Sequence, residues 1–520
     1  MPRRVVTRVW PPLLIVTLAL LAACTVGPSR RPALVVAGST PTTVAPKSPG
    51  HPPLPPLDTM PDNGGLDWAD CDLTTRKRLG ANTVPASLSF QCARVAVPLN
   101  SPSAPGVGQI RLQLLKVGTG PTPLLVVNDL DGMPGTLYAA ELAGQLPAQF
   151  LKTFSLIGMD RRGTGTSDGV HCVPESDRVQ IVGYDPTDTD VSGLLDASLD
   201  ASQQCILALD TRSAALDTVR TAQDLDTIRQ QLGVNHLDAI GHGEGSRVLT
   251  TYANHFATHV GRFVLDGSPD PTLDATDTAK ARAAAAEATF GAFATYCQSN
   301  GCPLGADPKA ALVQLLAQLR TKPIELSDGT EITNGTALNA VLIGLADRSD
   351  WTRLATALAE ARGGNGSGLA AIIDPIVVGS QYDPARLDGE LVSGCNDQED
   401  RLAPDQVSTT MKSWTTPYPV FGGLLAQDLL LCGPWPVPSQ PLEKPTAKGA
   451  PPILVLSTEN DTVTPAAGSQ RTAQQLDDGV LVNWLGSGHG ALGQSACATQ
   501  SAQNFLVDGK VPANPTTCPP

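Results

Sequence analysis

Alternation of apolar and polar residues first becomes regular at Cys92–Pro98 and again at Gln109–Val117. A period of two marks strands with one buried face, so these segments predict an antiparallel pair. Farther along, Pro123–Asn128, Phe154–Met159, His236–Ile240 and Arg262–Leu265 are short apolar runs followed by turns containing Gly or Asp. Such runs predict strands buried on both faces of a parallel sheet. Helical spacing fills the gaps at Ala139–Gln149 and Thr218–Leu232. In the second, Val219, Ala222, Leu225, Ile228 and Leu232 line one face, and Gly233 ends the helix. Strands alternating with helices predict βαβ units with right-handed crossovers.

The pattern changes after Thr272. Ala279–Tyr296, Lys309–Arg320, Thr336–Ala346 and Asp350–Ala361 are helical in spacing, which predicts a helical cap inserted into the sheet domain. Strand patterning returns at Pro452–Leu456 and Leu481–Leu485, so the C-terminal part completes the sheet. No repeat at solenoid or propeller periods is present. The expected organisation is a signal segment over 1–23, a Pro-rich tether over 24–61, a core over 62–271, a cap over 272–395 and the rest of the core over 396–520.

The N-terminus adds an address. Arg3, Arg4 and Arg8 precede an apolar run from Leu13 to Ala23 that is too short for an ordinary membrane-spanning helix. Leu21-Ala22-Ala23-Cys24 resembles a bacterial lipobox, which implies lipidation at Cys24 and anchoring of the body to a membrane; simple secretion is the alternative. Ten prolines between Thr25 and Pro61 suit a semi-extended tether. The formal charge is −14, and the segment before Cys24 holds three arginines and no acid, so the exported body is more acidic still. That balance argues against nucleic acid as a partner. The other ten cysteines are even in number, as expected for disulfides in an exported chain. A simple local pairing joins Cys71 with Cys92, Cys172 with Cys205, Cys297 with Cys302, Cys395 with Cys432 and Cys497 with Cys518, although spacing does not fix connectivity. No CxxC pair exists and the histidines do not fall at ligand spacing from the cysteines, so neither a metal nor another cofactor is expected.

The chemistry is concentrated in three loops. Leu237-Asp238-Ala239-Ile240-Gly241-His242-Gly243-Glu244-Gly245-Ser246 runs from a strand into a helix with the flanking glycines of G-x-S-x-G, Gly241 and Gly245, but Gly243 stands where the serine belongs. An ordinary Gly-rich turn is the bland alternative. Phosphate binding at the helix start is disfavoured by the spacing and by Glu244. An acid, Asp461, follows the strand Pro452–Leu456, and a base, His489, follows Leu481–Leu485 within Gly486-Ser487-Gly488-His489-Gly490. Their order after residue 243 is that of a hydrolase triad, with Asp461 orienting His489.

Several further motifs accompany these loops. They are Cys92-Ala93-Arg94-Val95-Ala96-Val97-Pro98-Leu99, Gly132-Met133-Pro134-Gly135 and Asp160-Arg161-Arg162-Gly163-Thr164-Gly165-Thr166-Ser167. Asp224-Leu225-Asp226-Thr227-Ile228-Arg229, Leu265-Asp266-Gly267, Trp351-Thr352-Arg353-Leu354-Ala355 and Cys432-Gly433-Pro434-Trp435 follow. In this order, from about residue 70 to the C-terminus, they resemble the tripeptidyl-aminopeptidase-like branch of the α/β-hydrolases, related to proline iminopeptidases and including exported actinobacterial peptidases. The resemblance implies an α/β-hydrolase fold with a mostly parallel sheet, an inserted cap and a disulfide-bonded C-terminal part. It implies oxyanion donors at the backbone of Glu244 and the Gly132–Met133 loop, and a pocket for a peptide-like or acyl ligand.

Two departures fall in the catalytic parts. Gly243 removes the nucleophile. The oxyanion loop reads Asn128-Asp129-Leu130-Asp131-Gly132-Met133-Pro134-Gly135, whose acids would oppose a developing oxyanion unless they turn toward solvent. Ser246 is expected behind the elbow and the Glu244 side chain away from it, so neither is a good substitute nucleophile. The leading expectation is a hydrolase-derived protein with impaired turnover. The alternatives are an active peptidase or esterase with an unconventional nucleophile or water, and a cell-envelope scaffold. Oligomeric state is not legible.

Overall fold

The computed structural model describes residues 51–520, apart from 62–63, 81–83, 381 and 439. The expectations for the signal segment, for Cys24 and for the tether as far as residue 50 lie outside the described residues. The strands are β1 (Ala69–Asp70), β2 (Phe90–Pro98), β3 (Gln109–Val117), β4 (Thr122–Val127), β5 (Phe154–Met159), β6 (Leu237–His242), β7 (Val260–Asp266), a small separate hairpin of β8 (Ile324–Glu325) and β9 (Glu331–Ile332), then β10 (Ile453–Asn460), β11 (Gly479–Ser487) and β12 (Thr516–Cys518). Ten of them form one sheet in the order β1-β2-β3-β5-β4-β6-β7-β10-β11-β12. β1, β2 and β3 pair antiparallel and β3 lies antiparallel to β5, while all pairs from β5 through β12 are parallel.

Period-two geometry explains the two cores. Leu124 and Val126 of β4 face a layer that includes Leu137, Ala140 and Phe505, whereas Leu125 and Val127 face Leu225, Ile228 and Val248. Every residue of β4, β5, β6 and β7 is buried, as expected of parallel strands covered on both faces. Helix Thr218–Leu232 begins with the Asp217 side chain accepting Arg220 N–H and ends at left-handed Gly233.

Two boundaries differ from expectation. The helical region between β7 and β10 does not stop at residue 395 but continues through Arg386–Asp397, Pro404–Trp414 and Gly422–Gln427. Gly389, Gly394 and Pro404 interrupt the sequence pattern, yet Leu387, Leu391, Val392 and Cys395 are buried at helical spacing. The end of the expected tether is also docked. Leu54, Leu57 and Met60 pack on the cores, Asp58 Oδ2 accepts the N–H groups of Asn235 and His236 at 2.8 Å, and Arg262 donates to the Pro55 carbonyl. Proline lacks an N–H for a strand ladder, but its carbonyls and the leucines between prolines still find partners.

All five local disulfides form: Cys71–Cys92, Cys172–Cys205, Cys297–Cys302, Cys395–Cys432 and Cys497–Cys518. The loop after β5 is fixed by buried charge. Asp160 accepts from Thr136 N at 2.9 Å and Thr136 Oγ1 at 2.7 Å, and from Thr166 N at 2.8 Å, which pins the helix start that follows the oxyanion loop. Arg162 forks onto Asp224 at 2.8 and 2.6 Å and donates to the carbonyls of Leu99 and Ala215. Burial pushes the Asp224 carboxyl upward despite Arg162, so the pair adds little net stability, but leaving Arg162 unpaired is costly. Asp224→Ala is therefore expected to destabilise the chain by about 3–5 kcal/mol in urea denaturation.

Candidate active site

The elbow has a nucleophile's backbone without a nucleophile. Gly243 lies between β6 and helix Glu244–His255 at φ 55° and ψ −121°, a left-handed conformation that L side chains adopt only under strain. Both flanking glycines are required by contact. A Cβ on Gly245 would lie 2.0 Å from the Val127 carbonyl oxygen, and one on Gly241 would lie 2.8 Å from the backbone of residues 245 and 246. Strand and helix crowd this turn as a nucleophile elbow does.

The space above Gly243 is filled by Asp129. A Cβ on Gly243 would fall 2.0 Å from Asp129 Oδ1 and 2.4 Å from Oδ2. Asp129 Oδ1 accepts the Glu244 N–H at 2.6 Å, and Oδ2 meets His489 Nε2 at 2.9 Å. The acid expected either to oppose an oxyanion or to turn to solvent does neither. It turns inward, is only 8% exposed, and takes the expected oxyanion donor as its own partner.

Behind it the structure brings His489 and Asp461 together. His489 Nδ1 lies 3.0 Å from both oxygens of Asp461, and Asp461 also accepts from Val463 N, Thr464 N and Thr464 Oγ1. His489 thus bridges two carboxylates. Burial lowers its pKa, but the charges of Asp461 and Asp129 outweigh that and raise it well above 6.5. Burial raises Asp129, yet the charge and hydrogen bond of His489, aided by His242, hold it at about 2. The result is carboxylate, imidazolium, carboxylate. An imidazolium has no lone pair with which to act as a general base.

The remaining candidates separate cleanly. Ser246 is fully buried and donates to the Gly241 and Gly267 carbonyls, behind the turn. The Glu244 side chain pairs outward with Arg247 at 3.6 Å. Gly132 and Met133 line a cavity of about 300 Å³, together with Asp129, Pro134, Thr164 and Arg386. Within the helical region, burial pushes Glu390 up to about 8 and Asp428 to about 6. Asn396 and Asp397 do not line the cavity; they hold the start of helix Thr218–Leu232 through the carbonyls of Ser213 and Leu216 and through Thr218.

Two site residues were not singled out from sequence. His242, at the end of β6, faces Asp266 at the end of β7 in register, with Nδ1 3.4 Å from Asp266 Oδ2. Its ring stacks on Tyr138 at 4.8 Å and lies 4.2 Å from the ring of His489. The usable signal was positional, because both residues stand at carboxyl ends of neighbouring parallel strands, where α/β sheets place their sites.

The sheet order, elbow and acid and base loops define an α/β-hydrolase-fold protein. More particularly, residues 418–518 match the family described as TAP-like protein. Curated relatives include a serine protease of Mycobacterium tuberculosis, 27% identical over 82% of this chain and 87% of that protein. Carboxylesterase B of the same species is 27% identical over 93% and 94%, and tripeptidyl aminopeptidase of Streptomyces lividans is 24% identical over 88% and 87%. Among solved structures, a thermophilic esterase from Thermogutta terrifontis aligns over 79% of this chain and 96% of its own, with 14% identity and a TM-score of 0.35.

The bridge has a signed pH dependence. The raised His489 contributes stability that is complete below 6.5 and lost as pH rises through its higher folded value. The depressed Asp129 contributes stability that is complete above 3.8 and lost as pH falls toward 2. Between those limits both contributions are present. The stability advantage of the native chain over Asp129→Asn should therefore be greatest from about pH 4 to 6.5 and vanish near pH 2, and NMR should show His489 titrating lower in that variant.

Proposed function

We propose that this chain is an exported, lipid-anchored TAP-like hydrolase relative in which serine-type acyl transfer is shut off, leaving a capped site for a peptide-like or acyl ligand. The observation that carries the reading is Asp129 seated over Gly243 and bonded to both His489 Nε2 and the Glu244 N–H. Serine chemistry needs a hydroxyl, a base with a free lone pair and a vacant oxyanion donor. Here the first is missing and the other two are engaged. The cavity reaching Asp129 favours a ligand site over a plain scaffold, because pockets of a few hundred Å³ are of small-ligand size. The relatives named as a protease, a carboxylesterase and an aminopeptidase support a peptide-like or acyl ligand class.

The test is labelling by a fluorophosphonate on the purified, metal-free chain. Neither the native chain nor Gly243→Ser should react, because in the latter Asp129 occupies the space of the new side chain. Gly243→Ser combined with Asp129→Gly should label, and His489→Ala in that background should abolish it. Labelling of the native chain would overturn the reading.

Export and anchoring rest on the Arg-rich start, the short apolar run and the Ala-Ala-Cys box, supported by five disulfides of the kind oxidising compartments maintain. No helix of the described residues is long and apolar enough to cross a membrane. In an actinobacterial host, Cys24→Ala should move the protein from the membrane fraction to the soluble fraction or the medium. Unchanged membrane retention would exclude Cys24 as the anchor.

A further inference from the structure

Asp129 in the loop after β4, His242 at the end of β6 and His489 in the loop after β11 converge, and each offers one donor atom such that all three lie within 4.8 Å of one another. His489 Nε2 is 2.9 Å and His242 Nε2 is 3.8 Å from the same oxygen, Asp129 Oδ2. A tetrahedral zinc ion with bonds of about 2.0–2.2 Å holds its ligand atoms about 3.3–3.5 Å apart, between those two separations. We propose that Asp129, His242 and His489 form a binding site for one divalent transition-metal ion of the zinc type.

Four features argue for the assignment beyond proximity. Each histidine is held through its other ring nitrogen by a buried carboxylate, His489 by Asp461 and His242 by Asp266, which is how metal-ligating imidazoles are oriented. Those carboxylates are anchored in turn, Asp461 by the N–H groups of Val463 and Thr464, and Asp266 by those of Ala491 and Leu492. The ion pair of Asp129 with His489 leaves His242 unexplained, because 3.8 Å is too long for a hydrogen bond to Asp129; an ion between them would engage all three. Finally, Gly243 is the residue that lets Asp129 reach the cluster, since any Cβ there would strike both carboxylate oxygens. The ion would take the place of the hydrogen between His489 Nε2 and Asp129 Oδ2. Asp129 also lines the cavity, so a fourth ligand such as water can arrive from that side.

The chemistry of the donors selects the ion. Two imidazoles and one carboxylate suit zinc and its neighbours better than the oxygen-preferring calcium or magnesium. The assignment does not depend on whether serine-type acyl transfer is lost.

The full chain, stripped with chelator and dialysed, should bind Zn²⁺ to saturation at one equivalent by isothermal titration, and Co²⁺ should give visible absorption of a low-coordinate site. Asp129→Ala and His242→Ala should each weaken binding by at least about tenfold, whereas exposed His255→Ala should bind as the native chain does. Where an alanine variant fails to fold by circular dichroism, Asp129→Asn or His242→Gln takes its place, since each keeps nearly the same volume. Absence of saturable Zn²⁺ binding, or binding that these substitutions leave unchanged, overturns the assignment. Neither result bears on fluorophosphonate labelling of the metal-free chain, so the two proposals fail separately.

Discussion

The contact of the Asp129 carboxylate with Nε2 of His489 is the one on which the rest of the site depends. It requires Gly243, since no side chain fits between the elbow and the carboxylate. It uses the Glu244 N–H, the donor that a serine hydrolase reserves for an oxyanion. It also sets the charge of His489, which sits between two buried acids. One side chain therefore fixes the space over Gly243, the partner of the Glu244 N–H and the charge of His489 together.

That contact is possible because the sheet delivers its parts to one edge. Asn128 and Asp129 directly follow β4, β6 ends in His242 with Gly243 next, and β7 ends in Asp266, while the loops after β10 and β11 carry Asp461 and His489. Parallel pairing puts all these carboxyl ends on the same side. The loop after β5 supplies rigidity, with Asp160 holding Thr136 beyond the oxyanion loop and Arg162 tying Asp224 to the carbonyls around it. The chain thus commits buried charge to framework as well as to the site.

Much of this was legible in sequence, for physical reasons that differ by element. β3, β5 and helix Thr218–Leu232 have the bounds their periodicity predicts, because burial on defined faces imprints itself on the pattern. Gly241 and Gly245 could be read because close backbone approach permits nothing larger. Asp461 and His489 could be placed by strand order alone. The direction of Asp129 could not, since an acid in a turn reads the same whether it faces water or an imidazole. His242 was hidden in the same way, because its partner Asp266 is 24 residues away and meets it only through strand register. The helices after residue 395 were obscured by Gly and Pro punctuation that tertiary packing overrides.

Loss of a serine by itself would leave a recognisable remainder: an unengaged imidazole and an oxyanion donor facing water or ligand. This site has no such remainder among its described groups, for Glu244 N–H, His489 Nε2 and His489 Nδ1 all have carboxylate partners. Buried polar groups left unpaired are costly, so the donors around an elbow without a side chain need other partners. Asp129 provides those partners, but only where residue 243 has no Cβ. Gly243 and Asp129 are therefore coupled: a side chain at 243 would clash with the carboxylate, and removing the carboxylate would leave the Glu244 N–H and His489 Nε2 without that partner. The carboxylate accounts for both residues, because its position requires Gly243 and its direction is set by the Glu244 N–H and His489 Nε2.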